Sequence, residues 1–334
     1  MIKWLANVLP SCWQKRSALL FLLFPLVLIW QIIFRLRWFF LHDLKKKPAR
    51  KIPLWCFGNV VVGGSGKTPA LIAVAELLKE LSFSVACISK GYGRKNSLLE
   101  ALQVDPEKHS AGEVGDEPLL LARHLPVFVC DKREIAYQAA CDLGVDLVLA
   151  DDGLQDPHLF PTDAFLIFDG NGGVGNGWLL PAGPMREPLA SALKKISAVF
   201  RMCSADKNSV TLETGSKPMF DAVRSVSFSA HDTKKFIAFA GIAKPNAFFD
   251  ALPQERLLQR MAFPDHYFYQ EDDLLELEKL AQKNDALLVT TEKDFVRLPK
   301  KWRYKVTIVS LHIEWKNKNS LLKFLREKLV MERA

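Results

Sequence analysis

From residue 17 to residue 40 the chain reads SALLFLLFPLVLIWQIIFRLRWFF, a run without a polar face. Its uncharged part, residues 17–34, is close to the roughly 18 to 20 residues that cross a bilayer. A soluble core helix would show amphipathic periodicity, and a signal peptide would be followed by a small-residue cleavage site; here RLRWFFLHDLKKKPARK follows instead. The run is therefore expected to enter a membrane. Pro25 and Gln31 interrupt it, so it suits either a span or a helix embedded in one leaflet.

After Lys51 the pattern changes to short β-branched runs alternating with amphipathic stretches, as in a parallel sheet wrapped by helices. Strands are predicted over residues 54–62, 84–89, 126–131 and 145–152 and at DAFLIFDG. Helices are predicted from Thr68 and over KREIAYQAACDLG. Residues 174–188, VGNGWLLPAGPMREP, are dense in Gly and Pro and carry more chemistry than a connector needs. A second lobe is expected from about Ser229, with strands at KKFIAFAGI, ALLVTTEKD and KVTIVSL.

Charge adds an orientation. Lys3, Lys15 and Arg16 precede the apolar run, whereas Arg35, Arg37, Lys45, Lys46, Lys47, Arg50 and Lys51 follow it. Basic flanks stay on the cytoplasmic side, so the bulk of the protein is expected there; the basic stretch, Trp38 and the Phe39–Phe40 pair also suit anionic headgroups. The net charge of +8 agrees, though a basic surface alone would fit nucleic acid equally. Six cysteines at 12, 56, 87, 130, 141 and 203 show no C-x-x-C spacing, which points to reduced thiols rather than a zinc site or disulfides.

Chemistry concentrates first at VVVGGSGKTPA. Gly63, Gly64, Ser65 and Gly66 lie between a predicted strand and a predicted helix, where backbone N–H groups wrap phosphate oxygens. Lys67 would reach the β- and γ-phosphates and the Thr68 hydroxyl would face Mg²⁺. Val61 replaces the usual first glycine of the pattern, at little cost if the backbone is extended there. LVLADDGLQD places Asp151 and Asp152, followed by Gln155, at the end of a buried strand, where ligands of open α/β sheets bind and a metal partner is needed. Two classes fit such a site: a small-molecule or lipid kinase, or a membrane-associated deviant P-loop ATPase of the partitioning type. Val62 stands where the latter commonly has a lysine.

These residues, with SKGYGR at 89–94, GDEP at 115–118, LLPAGPMREP at 179–188, FPDHYFY at 263–269 and VTTEKDFVRL at 289–298, resemble the tetraacyldisaccharide 4′-kinases of lipid A synthesis. The resemblance spans nearly all of the chain after the apolar run. It implies an α/β fold with a P-loop NTPase-type parallel sheet core, a second, smaller α/β lobe and an N-terminal membrane helix. The implied division is 1–42 for the helix and its basic flank, 43–228 for the kinase core and 229–334 for the lobe closing the cleft. The implied reaction moves the γ-phosphoryl of ATP, with Mg²⁺, to the 4′-hydroxyl of a tetraacylated glucosamine disaccharide 1-phosphate at the inner membrane; no nucleic acid is expected as a partner.

Asp116 reads equally as a helix N-cap or as a base for the sugar hydroxyl; the resemblance implies the base, with His266 orienting it. A histidine among aromatics is otherwise an ordinary packed residue. Arg186 and Glu187 are either a solvated pair at a helix start or contacts for the nucleotide. Lys90, Tyr92 and Arg94 are candidates for the lipid substrate, Lys90 standing where the family often has Arg. Residues 290–294, after a strand, fit a helix cap, and the resemblance places them near the adenosine end.

Overall fold

The structure, a computed structural model, describes residue 13 and residues 18–44, 47–204, 209–227 and 234–333. Lys3, Cys12, Lys15, Arg16, Lys45, Lys46 and the expected lobe boundary at Ser229 lie outside them. The chain forms two compact units interleaved in sequence. The first holds residues 1–85, 144–222 and 315–334; the second holds 86–143 and 223–314.

In the first unit, Leu54–Gly58 pairs in parallel with Leu147–Asp151 on one side and with Asp163–Asp169 on the other, which pairs in turn with Ala198–Ser204. All five positions of Leu54–Gly58 and of Leu147–Asp151 are buried, as continuous apolar runs in a parallel sheet require. The predicted first strand stops at Gly58 rather than at Val62, because Asn59 turns the chain: its Nδ2 donates to Val61 O at 2.7 Å and to Ser65 Oγ at 2.8 Å. Trp55, Phe57, Phe165 and Phe200 are fully buried, and Phe165 meets Phe200 at 5.4 Å between centroids. Lys318–Arg333 closes this core with Leu321, Leu325 and Leu329, all at 0% exposure and spaced one helical turn apart.

The apolar run forms two helices, Ala18–Phe21 and Phe24–Trp38, continued by a wider turn over Phe39–Asp43. Pro25 lies in the first turn of the second helix, where its missing N–H costs nothing. Phe24, Val27, Gln31, Phe34 and Trp38, spaced alternately three and four residues apart, are the less exposed positions, whereas Leu22, Leu26, Leu28, Ile29, Ile32, Ile33 and Leu36 are exposed at 50–74%. The first set packs along the first unit, Phe24 on Trp178 and Trp38 on Lys195, and the more exposed Trp30 adds its Nε1 on Arg186 O at 3.3 Å.

In the second unit, Leu257–Ala262, Phe236–Ala240, Leu287–Thr291 and Val306–Trp315 pair successively in parallel. Ile237, Phe239, Leu274, Leu277, Leu288 and Trp302 form the core under the helix Glu271–Lys283. Val85–Ser89 pairs with Val127–Val129, which carries the short antiparallel Leu102–Gln103. The five described cysteines, in both units, are buried thiols.

Candidate functional site

Two clusters of polar side chains stand out, one in each unit. The first surrounds the turn after Leu54–Gly58. Gly63 and Gly66 adopt φ of +103° and +82°, the left-handed region that glycine enters without strain. The helix Lys67–Glu80 starts directly after Gly66, so its free N–H groups face the turn. Val61 pairs with Met185 as an isolated bridge, and Val62 N donates to Pro184 O at 2.9 Å; the backbone is extended at the position of the missing glycine. Lys67 Nζ lies 3.4 Å from Asn59 Oδ1 and 3.5 Å from Asp152 Oδ2.

Asp151 ends its strand directly opposite Phe57 and is 2% exposed. Asp152 leaves the strand with φ +49°, held by its N–H on Phe57 O at 2.9 Å. Both Asp152 oxygens accept from Arg186 Nη1 at 3.1 Å. Gln155 Nε2 donates to Asn59 O and to Glu187 Oε1, each at 2.9 Å, and its carbonyl oxygen lies 3.4 Å from Arg186 Nη1. Arg186 N donates to Val60 O at 2.8 Å, tying the Gly/Pro loop to the phosphate turn. Buried Asn176 braces that loop from within, donating to Ala182 O at 3.0 Å and accepting from Trp178 N.

In this cluster Ser65, Lys67, Thr68, Asp151, Asp152, Gln155, Arg186 and Glu187 come together. Asn59 and Lys195 belong to it as well, although sequence reasoning did not select them. Asn59 had a signal, as a polar residue between a buried strand and a glycine turn. Lys195, 2.7 Å from Glu187 Oε2, had none.

The second cluster is centred on Asp116, the first residue of the helix Asp116–Leu121; Gly115, not Asp116, holds the cap position. Gly115 has φ +91°, and a Cβ there would meet Tyr92 O at 2.9 Å, so the GYG turn packs against the helix start. Asp116 Oδ1 accepts from Glu117 N at 2.9 Å. Its Oδ2 lies 2.8 Å from His266 Nδ1, accepts from Arg297 Nε at 2.8 Å, and has Lys293 Nζ at 3.9 Å. Burial pushes the Asp116 carboxyl up, but the His266 hydrogen bond and the charges of Lys293 and Arg297 outweigh it and hold the group well below the usual carboxylate range. Burial lowers the Lys293 ammonium, and the carboxylates of Glu117 and Asp116 more than reverse this.

His266 has φ +58° and its ring is met edge-on by Tyr92 at 5.9 Å. Arg297 is the residue of this cluster that sequence reasoning missed: at 1% side-chain exposure it spans Asp116 and Asp294 and also donates to Gly241 O at 2.6 Å. Thr291 caps the helix Glu292–Phe295 as expected, accepting from Asp294 N at 3.1 Å. Lys293 stands with Asp116 and Glu117. Arg94 pairs with Asp131 and donates to Lys90 O, which shapes the turn at 89–94.

A parallel strand, a glycine turn, a helix opening on a lysine, and two aspartates ending the neighbouring strand define a P-loop-type nucleotide-binding α/β protein. The family model for the tetraacyldisaccharide-1-P 4′-kinases matches residues 19–330, and the chain belongs to that family. A tetraacyldisaccharide 4′-kinase of Rhodospirillum centenum is 35% identical over 326 residues, covering 95% of both chains. One from Methylobacterium sp. strain 4-46 is 41% identical over 255 residues, 74% of this chain and 76% of that one. Among solved structures, LpxK from Aquifex aeolicus in complex with ATP superposes with a TM-score of 0.74 at 26% identity, covering 92% of this chain and 99% of that one. The protein is accordingly an ATP-dependent kinase acting at the 4′-position of the lipid A precursor. The partitioning ATPase is not favoured.

Proposed function

We propose that the first cluster holds ATP and that the Asp116–His266 pair receives the proton of the attacking 4′-hydroxyl of a tetraacyldisaccharide 1-phosphate. The carrying observation is the Lys67 ammonium at the helix start, beside the carboxylate of Asp152 and opposite the turn of glycines. The turn N–H groups and Lys67 neutralise the phosphates, and Arg186 adds a second cation there. Transfer through a loose transition state needs positioning more than a strong base. That suits an Asp116 held firmly as an anion and a His266 oriented by it.

Mg²⁺ fits the donors present. Thr68, Asp151, Asp152 and Gln155 offer oxygen ligands, as suits a hard ion held by a carboxylate and phosphates. Asp152 also meets Arg186 and Lys67, and buried Asp151 and the Thr68 hydroxyl stand with it as candidate ligands. The ion would neutralise charge on the transferring group.

The helix Phe24–Trp38 supports association with the cytoplasmic face of the inner membrane. Its contacts with the first unit run from Phe24 to Trp38, about 21 Å at the helical rise. A helix packed on the folded unit over that length suits insertion into one leaflet, with the exposed leucines and isoleucines in lipid, rather than a span. By position in the chain the nucleotide cluster and Asp116 fall within the proposed core, residues 43–228, and His266 within the proposed lobe, residues 229–334, whereas the compact units keep Asp116 with His266. Lys90 and Tyr92 are candidates for the lipid, and Arg94 serves their turn through Asp131 and Lys90 O.

The test is incubation of the purified, detergent-solubilised protein with ATP, Mg²⁺ and tetraacyldisaccharide 1-phosphate. A bisphosphorylated lipid is expected, and none from a folded Lys67→Ala variant. ATP hydrolysis without lipid phosphorylation would overturn the assignment.

A further inference from the structure

The helix Leu189–Lys195 follows the Gly/Pro loop and ends on Lys195, whose ammonium faces two ways. On one side it lies 2.7 Å from Glu187 Oε2, a carboxylate with 0% side-chain exposure. On the other it lies 3.9 Å from the ring centre of Trp38 and 5.8 Å from that of Phe34, residues one turn apart on the apolar helix. Glu187 passes the connection inward, because its Oε1 accepts from Gln155 Nε2, which also donates to Asn59 O beside the phosphate turn. Three further contacts fasten the same loop to the apolar run: Trp30 Nε1 donates to Arg186 O at 3.3 Å, and Trp178 stands edge-on to Phe21 and to Phe24.

The geometry points to Lys195 as a positioning residue, through which docking of the apolar helix sets the nucleotide site. A lysine on a four-carbon stem is mobile, and two things fix this one: the buried carboxylate and the aromatic face. With the aromatic face gone, the ammonium regains water and the freedom to swing away. Glu187 is then a buried anion left with an amide, and such a group moves towards another donor. That movement shifts Gln155, which meets Glu187, and the neighbouring Arg186, which meets Asp152. High affinity for ATP therefore belongs to the state in which the helix is seated. This rests on the reading of Glu187 and Arg186 as nucleotide-site residues.

The experiment uses the full chain in detergent and compares Trp38→Leu, Lys195→Met, Lys195→Arg and the double variant Trp38→Leu, Lys195→Met. Binding of a fluorescent ATP analogue is measured without lipid, and KM for ATP and for the disaccharide with it. Trp38→Leu keeps the helix apolar and Lys195 paired, so it tests the coupling even if Lys195→Met folds poorly. Its ATP affinity is expected to fall roughly threefold, with KM for the disaccharide unchanged. Lys195→Met is expected to lose about tenfold or more. Lys195→Arg, which pairs and stacks, should recover most of that loss. The double variant should be no worse than Lys195→Met, since both changes cut one connection. Unchanged ATP affinity in Trp38→Leu, or a double loss equal to the product of the single ones, would overturn the proposal. Phosphorylation of the disaccharide by the unaltered protein tests the underlying site reading separately.

Discussion

At the scale of single residues, Asp116 carries the sharpest test, because its surroundings make it matter for stability as well as for rate. Its pKa is depressed in the fold, so the stabilisation from its pairs is complete above the ordinary carboxylate pKa and is lost as pH falls below about 4 towards the folded value. Asp116→Asn keeps an oxygen for Glu117 N but leaves Arg297 and Lys293 without that charge. The expected cost at neutral pH is on the order of 3 kcal/mol. The gap in Tm between Asp116→Asn and the unaltered protein should narrow below pH 4, where the latter loses the same pairs; a gap constant from pH 7 to pH 3 would contradict this. In single-turnover transfer, Asp116→Asn is expected to lose roughly 10²- to 10⁴-fold, and adding His266→Ala should cost far less than its separate loss, because the two act as one pair. Multiplicative losses would remove the pair from the chemistry. Asp116 and His266 were readable as candidates because each stands in a distinctive short motif. Arg297 also stands in one, VTTEKDFVRL, but nothing local tells it from a solvated arginine, and its partner Asp116 is 181 residues away.

At the scale of elements, strand and helix positions followed from periodicity, and they failed where side chains override it. The first strand ends at Gly58 because Asn59 competes for the backbone of the glycine turn. The apolar run was legible as a helix, but its docking face was not: with leucine, isoleucine and phenylalanine on every side there is no polar contrast to mark a face. The structure divides the faces, and that division is testable. Ile29 and Ile33, exposed at 52% and 56%, belong to the outward face. Replacing both with Asp should lower binding to anionic vesicles by well over tenfold, given about 2.5 to 3.5 kcal/mol for each acidic residue at full depth. Binding of an ATP analogue in detergent should not change, because the face bearing Trp30, Phe34 and Trp38 is untouched. Undiminished vesicle flotation would show that this face does not meet lipid.

At the scale of the whole molecule, the α/β class was legible from the alternation of runs, but the interleaving of the two compact units was not. Nothing in local pattern tells residues 315–334 to return to the unit that holds residues 54–58; the buried leucines of the final helix do so by packing, and Glu332 by accepting from Trp55 Nε1 at 2.8 Å. The buried thiols turn this division into a pair of clocks. Cys56 and Cys203 belong to one unit, and Cys87, Cys130 and Cys141 to the other. An alkylating reagent reaches each only when its surroundings open, so peptide mapping of the labelled chain reads the opening of each unit separately. ATP at about a hundred times its Kd should slow labelling of the first pair by up to about a hundredfold and leave the other three at their own rate. Equal slowing of all five would mean that the units breathe as one body, and that the nucleotide governs the openness of the entire protein.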